Sequence, residues 1–188
     1  DVLASDGVSK LGGDDFDRIL QNLIKDKFFK EHGRKLDDFE ARLREIVKHK
    51  IDLSKKESVK RQYDSELIEV TRNEFEEAIG GLVEQTKLCC ESVLEEAKLS
   101  VSDIKSIFLA GGSTRIPCVL KAVEDVFKKK PKALVNVDEV VALGAALYAA
   151  MKSDGQGLTA TQRGAVNRIG LSEIASYYFG TQAVLLND

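Results

Sequence analysis

The chain has 188 residues, of which 43% are hydrophobic and 31% are charged, and its formal net charge is -3. This composition is ordinary for a globular protein and excludes a disordered or fibrous chain. The charge balance, with no basic stripe interleaved with aromatic residues, argues against nucleic acid as a partner, and no apolar run reaches the length of a membrane span.

The first third of the chain predicts a turn followed by two amphipathic helices. Asp6-Gly7 predicts the turn of an opening hairpin. Apolar residues then recur at helical spacing in two groups: Phe16, Ile19, Leu20, Leu23, Ile24 and Phe28, and later Leu43, Ile46, Val47 and Ile51. His32 and His49 stand among charged residues, and we interpret both as surface residues.

The middle of the chain predicts a polar connection, a strand and a long helix. The polar stretch 52–62 predicts a loop or hairpin turn, and 65–70 predicts a strand. Asn73 and Glu76 have the spacing of a capping box. The apolar positions that follow continue to Ala97, with a bend expected at Gly80-Gly81.

The most informative run is 107–117, where an apolar strand ending at Ala110 turns through two glycines into a helix that begins at Pro117. Glycine lets the backbone approach a ligand closely, and a helix N-terminus offers unpaired N–H groups to an anion. Arg115 adds a planar cation that can stack on a base or bind phosphate. The run therefore indicates a nucleotide site, although an ordinary strand-to-helix turn has a similar local sequence.

The last part of the chain predicts two helices, a linker and an apolar tail. A helix with Leu120, Val123 and Phe127 precedes a turn near Pro131, and a further helix begins at about Asp138. From Lys152 to Gln162 the composition shifts to small and polar residues, which is typical of a linker. The segments 166–174 and 177–181 are apolar and β-prone. Such a tail could pair with the edge strand of a second copy and give a strand-exchanged homodimer.

The three cysteines are odd in number and form no Cys-x-x-Cys pair, which supports neither a disulfide framework nor a zinc site. A reducing cytoplasmic compartment is therefore expected, and no metal ligand and no catalytic residue is predicted within the chain. Because the sequence opens without methionine, we also expect it to be part of a longer protein.

Four ordered motifs resemble the seventy-kilodalton heat-shock (DnaK-like) chaperone family within the actin-fold ATPases: Leu11–Asp17, Lys50–Ser54, Gly111–Pro117 and Asp138–Ala146. The resemblance covers most of the chain and implies an α/β, actin-like ATPase fold of the ribonuclease H-like type, with this chain as its second lobe. Residues 1–11 and 79–158 would form the lower actin-like subdomain and 12–78 a small, mobile α+β upper subdomain. Residues 159–174 would be the interdomain linker, and 175–188 the start of the substrate-binding domain.

The same resemblance implies a set of adenine-nucleotide contacts. Gly111, Gly112, Ser113 and Arg115 would contact adenosine. Across the cleft, Lys50 and Ser54 would contact ribose and adenine, and Asp138 would be a further contact on the nucleoside side. Gly12 and Gly13 would lie at the subdomain hinge near the phosphates. Lysines are usually solvated, and serine or aspartate near a helix end often caps it, so each type also has an ordinary structural role.

The resemblance implies a chaperone whose ATP binding and hydrolysis control client binding through the interdomain linker. Its cofactor would be ATP or ADP, with Mg²⁺ in the complete domain, and its partners nucleotide-exchange factors, J-domain co-chaperones and unfolded proteins. The family's phosphate loops and metal-organising aspartates would lie upstream of Asp1, so the chain alone is not expected to hydrolyse ATP.

Val47 stands where the family usually has a glutamate on the ribose. This departure leaves open an alternative function, a divergent relative that no longer cycles and acts as a regulatory protein-binding scaffold. An actin-fold sugar kinase or filament former is a third hypothesis that matches the motifs less well.

Overall fold

The computed structural model describes residues 1–36, 43–132, 136–153 and 157–171. Within these ranges the chain forms a helical protein with one small antiparallel hairpin. The elements are α1 (Gly13–His32), α2 (Leu43–Leu53), β1 (Ser58–Tyr63), β2 (Glu66–Thr71), α3 (Arg72–Glu96), α4 (Pro117–Phe127), α5 (Val140–Lys152) and α6 (Ala160–Val166), with single 3₁₀ turns at Val101–Asp103 and Gly112–Arg115.

The first two helices are confirmed by the structure. In α1 the apolar residues Phe16, Leu20, Ile24 and Phe28 form one buried stripe, as their spacing predicts. The helix ends at Gly33, whose φ of 67° lies in the left-handed region and whose N–H donates to the carbonyl of Phe29. In α2 the buried residues are Ile46, His49 and Leu53.

The predicted loop over 52–62 is wrong for its second half, because β1 occupies 58–63. It pairs with β2, which corresponds to the strand predicted over 65–70. Val59 and Tyr63 are buried, and their neighbours in the strand are exposed. The sequence therefore contains the alternation typical of a strand, but the charged residues of this stretch made it hard to recognise. Asp64 and Ser65, with φ of 46° and 70°, form the two-residue turn between the strands.

The capping box of α3 lies two residues before the predicted one. Thr71 accepts a hydrogen bond from the N–H of Glu74, whose carboxylate accepts from the Thr71 N–H. Glu76 instead accepts from the N–H of Cys118 at the start of α4, at 3.1 Å, and so ties the two helices together. The helix continues through Gly80-Gly81 to Glu96 as a single element.

Two predicted strand regions are not strands in the structure. Residues 1–12 contain no strand; the turn lies at 9–10, where the N–H of Leu11 donates to the Val8 carbonyl, so the hairpin at Asp6-Gly7 is wrong. The strand expected at 107–110 is reduced to one parallel bridge between Phe108 and Lys132. Within the described ranges the only sheet is the β1–β2 hairpin, so these segments have no ladder of backbone partners.

The core lies between α1, α2, the hairpin and the first half of α3, and Ile116 and Ala122 add to it from the start of α4. His49 is fully buried in this core, so its prediction as a surface residue is wrong. Helix α5 has no buried residue and contacts α6. Helix α6 falls inside 159–174, the segment predicted as the interdomain linker. The β-prone tail from 172 onward lies outside the described residues. No helix in the described ranges combines the length and the apolarity needed to cross a membrane.

Candidate functional site

A cleft of about 640 Å³ lies between α2 and the glycine turn at 111–115. Seven of the nine sequence-predicted site residues line it: Gly13, Lys50, Ser54, Gly112, Ser113, Arg115 and Asp138. Gly12 and Gly111 line a neighbouring, more apolar cavity of about 740 Å³, which Gly112 and Ser113 share. The structure therefore brings residues that are more than 100 positions apart in the sequence to one place.

Helix α2 supplies one wall because its two faces differ. Val47, Lys50, Ile51 and Ser54 lie at positions i, i+3, i+4 and i+7 and line the cleft, as residues on one helical face do. Ser54 lies just beyond the helix end, where its hydroxyl donates to the Lys50 carbonyl at 3.1 Å. The opposite face of α2 is buried in the core, which fixes the orientation of the cleft-lining face.

Lys50 is held by the start of α1. Its Nζ lies 2.9 Å from Oδ1 of Asp17, and it donates to the Gly13 carbonyl at 2.9 Å. Asp17 is 3% exposed, and the Lys50 side chain is 14% exposed. In the sequence, Asp17 belongs to a family motif but has no assigned role. Its position beside Phe16, on the apolar side of α1, could have indicated a buried carboxylate, and a buried charge requires a partner.

Gly13 permits the close approach of α1, α2 and the glycine turn. A Cβ at this position would lie 3.3 Å from Nζ of Lys50, a tight contact, and 3.4 Å from Oγ of Ser113, an ordinary van der Waals contact. Gly12 is the N-cap of α1, and its N–H donates to Oδ2 of Asp15 at 2.8 Å. Its φ of -168° is extended backbone that any residue adopts.

The glycine turn forms the second wall and requires glycine at its first position. Gly111 has a φ of 88° and a ψ of 150°, a region that residues with a Cβ avoid. Its N–H donates to the Val137 carbonyl at 2.9 Å, which brings the turn close to Asp138. Pro117 begins α4 after Ile116, as predicted.

Arg115 and Asp138 form an ion pair at the open side of the cleft. Nη2 of Arg115 donates to Oδ2 of Asp138, and both side chains are more than half exposed. Both cations that the sequence predicts at the site, Lys50 and Arg115, are therefore partnered by carboxylates of the same chain. Their charge is balanced locally, so the walls suit a neutral, planar ligand with hydrogen-bonding groups better than an isolated phosphate.

His49 lies directly behind Lys50, on the buried face of α2. Its Nδ1 is 2.9 Å from the hydroxyl oxygen of Tyr63. Burial, as the larger cause, and the nearby Arg61 guanidinium together lower the pKa of His49 to about 4. The imidazole is therefore neutral at physiological pH, and it links the cleft helix to the hairpin.

A metal site is not evident in the part of the chain that the structure describes. Within those ranges no three His, Cys, Asp or Glu side chains are grouped so that they could hold an ion.

The chain belongs to the Hsp70 family, because the family model described as Hsp70 protein matches residues 1–162. It is 38% identical over 157 residues to the chaperone protein HscA of Buchnera aphidicola subsp. Baizongia pistaciae, an alignment that covers 82% of this chain and 31% of that protein. It is 39% identical over 176 residues to the chaperone protein DnaK of Thermotoga petrophila, covering 84% of this chain and 29% of the relative. The chain thus spans less than a third of the length of these relatives.

Proposed function

We propose that this chain is the adenine-nucleotide-binding lobe of an Hsp70-type molecular chaperone, the second lobe of an actin-like ATPase fold. The observation that carries this proposal is the convergence of seven predicted nucleotide contacts on one cleft. Chance agreement is a poor explanation, because these residues come from the start of α1, the end of α2, the glycine turn and the segment before α5.

The chemistry of the walls supports adenosine as the part of the nucleotide that this lobe holds. The Arg115 guanidinium, kept in place by Asp138, would stack on the purine face. The Lys50 ammonium has three N–H donors; it donates one hydrogen bond to the Gly13 carbonyl and is ion-paired with Asp17. A further N–H of Lys50 would reach a sugar oxygen, and the hydroxyls of Ser54 and Ser113 would add hydrogen bonds. When bound, the nucleotide supplies the phosphates whose hydrolysis an ATPase couples to conformational change.

For the complete protein we propose the cycle of a heat-shock chaperone. The relatives carry the names chaperone protein DnaK and chaperone protein HscA. By analogy, ATP binding and hydrolysis would control the affinity for unfolded client proteins through the linker. J-domain co-chaperones and nucleotide-exchange factors would then regulate the cycle in a cytoplasmic stress response.

The test is a titration of the 188-residue chain with ADP, followed by amide chemical shifts and by calorimetry. Shifts should cluster at Lys50, Ser54, Gly112, Ser113, Arg115 and Asp138. Arg115→Ala should weaken ADP binding about tenfold, the loss expected for a stacked cation. Arg163→Ala, in the exposed helix α6, is the matched control and should not change the affinity. Absence of saturable shifts at millimolar ADP, or an equal effect of both substitutions, would refute the proposed site.

Val47 in the cleft wall favours one other function, the regulatory scaffold. In the complete protein the two functions differ in one observable, the response of a bound partner to nucleotide. Release of a bound unfolded client on addition of ATP supports the chaperone cycle. Retention of a partner regardless of ATP or ADP supports the scaffold.

A further inference from the structure

The apolar cavity of about 740 Å³ beside the cleft has one wall formed by helix α3. The residues of α3 that line it are Thr86, Cys89, Cys90, Val93 and Leu94. They recur at positions i, i+3, i+4, i+7 and i+8, which is the spacing of one helical face. Two adjacent cysteines therefore border the same cavity.

The rest of the cavity is suited to an apolar group. Ile104, Ile107 and Phe127 line it opposite the cysteines, and Asp6 is the only charged residue among the described residues that border it. Cys89 and Cys90 are each only partly buried, so a small molecule that enters the cavity can reach both sulfur atoms. The surroundings favour a ligand that combines an apolar body with an affinity for thiols.

The two cysteines remain free thiols because the helix prevents them from forming a disulfide with each other. Consecutive Cα atoms are about 3.8 Å apart, whereas disulfides usually span about 4.4–6.8 Å between Cα atoms. Helix α3 continues through both residues from Arg72 to Glu96. Cys118 lines a different pocket, together with Glu76 and Lys87, so it is not their partner.

The number of ligands decides which thiophilic species the pair can hold. Structural zinc takes four nitrogen, oxygen or sulfur ligands, and within the described ranges no third His, Cys, Asp or Glu joins the two cysteines in such a group. Trivalent arsenic forms three bonds and has the affinity for sulfur of a soft element. An arsenical with one carbon substituent therefore needs two thiols, which Cys89 and Cys90 supply.

We propose that Cys89 and Cys90 form a dithiol site for trivalent organoarsenicals, with the organic group held in the apolar cavity. With phenylarsine oxide, two As–S bonds form and the arsenic–oxygen bond breaks. The two thiol protons leave with that oxygen as water, and arsenic remains trivalent, so the step requires no oxidant. Once one thiol has reacted, the second is held beside the arsenic by the helix, and the second As–S bond forms within one molecule.

The first experiment treats the folded 188-residue chain with phenylarsine oxide in the presence of excess 2-mercaptoethanol, a monothiol. Intact-mass spectrometry should show one phenylarsenic group per chain, and a thiol assay should detect one of the three cysteines. Cys89→Ser and Cys90→Ser should each weaken binding by at least about a hundredfold, because the second tethered ligand is lost. Cys118→Ser is the matched control and should retain the adduct, and circular dichroism confirms that each variant is folded.

The second experiment tests the cavity, because an unfolded chain also carries the two adjacent thiols. The folded chain should prefer phenylarsine oxide over inorganic arsenite at least about tenfold more strongly than the urea-unfolded chain does, the gain expected from burying an aromatic ring. Equal preferences in the two states would overturn the assignment of the organic group to the cavity.

Two other results would overturn the dithiol site itself. One is the absence of an adduct on the folded chain, and the other is an adduct that persists undiminished in Cys89→Ser or Cys90→Ser. Neither cysteine lines the cleft of the proposed nucleotide site, so the outcome is independent of ADP binding.

Discussion

The ion pair between Asp17 and Lys50 links the stability of the core to the geometry of the cleft. Removing one member of a buried ion pair costs about 3–5 kcal/mol, because the other charge stays uncompensated. Asp17→Leu leaves Lys50 with the Gly13 carbonyl, and the 14% exposure of the lysine lets water reach it. We therefore expect a loss near the lower limit, about 3 kcal/mol. In a chain of this size, this lowers Tm by about 6–12 °C.

Substitution of the other member of the ion pair, Lys50, should lower the free energy of unfolding more. Lys50→Met leaves the Asp17 carboxylate, only 3% exposed, without its cation, and we expect a loss of about 4 kcal/mol in the free energy of unfolding. The double variant removes both charges and replaces them with apolar side chains. It should therefore be more stable than the sum of the single losses predicts, by about 3 kcal/mol.

The assay is urea unfolding of all four proteins, followed by circular dichroism at pH 7. Lys60→Met serves as a control, because Lys60 pairs with Glu69 across the hairpin in an exposed position with an N···O distance of 3.4 Å. Its unfolding curve should match that of the unsubstituted chain. A double-mutant cycle that is additive within about 0.5 kcal/mol would refute the buried ion pair as the element that positions Lys50.

Three further predictions concern the core, a helix cap and a thiol. Burial lowers the pKa of His49 from 6.5 to about 4, so between these pH values the unfolded chain binds more protons than the folded chain. The free energy of unfolding should therefore fall by about 2 kcal/mol from pH 7.5 to pH 5. In urea unfolding, His49→Gln should abolish this pH dependence. Thr71→Ala removes the acceptor for the Glu74 N–H and should lower the free energy of unfolding by about 1 kcal/mol, whereas Asn73→Ala should lower it little. Equal losses in the two variants would contradict Thr71 as the N-cap of α3. Burial raises the pKa of Cys118 to about 11, so iodoacetamide at pH 8 should modify it far more slowly in the folded chain than in urea, as peptide mass spectrometry can measure; equal rates would contradict this.

The sequence alone determined helices α1 to α5 and the family, whereas α6 falls where a linker is predicted. The apolar stripe of α1 and the proline at the start of α4 are local signals that neighbouring residues reinforce, and both are confirmed. The four motifs led to the Hsp70 family, which the family match confirms. The residues chosen for the site line one cleft with only Gly12 and Gly111 beside it, although their roles as nucleotide contacts remain predictions.

Tertiary structure decided the partners and the burial of individual side chains. His49 stands among charged residues in the sequence but faces the hairpin, because the helical turn places it opposite the cleft. Asp17 became a candidate positioning residue only when α2 placed Lys50 2.9 Å away. The strand expected at 107–110 depends on neighbours that local sequence cannot supply, and it is reduced to one bridge. Helix spacing is set by residues within one or two turns, whereas ion pairs and sheet edges depend on which distant segments the fold brings together.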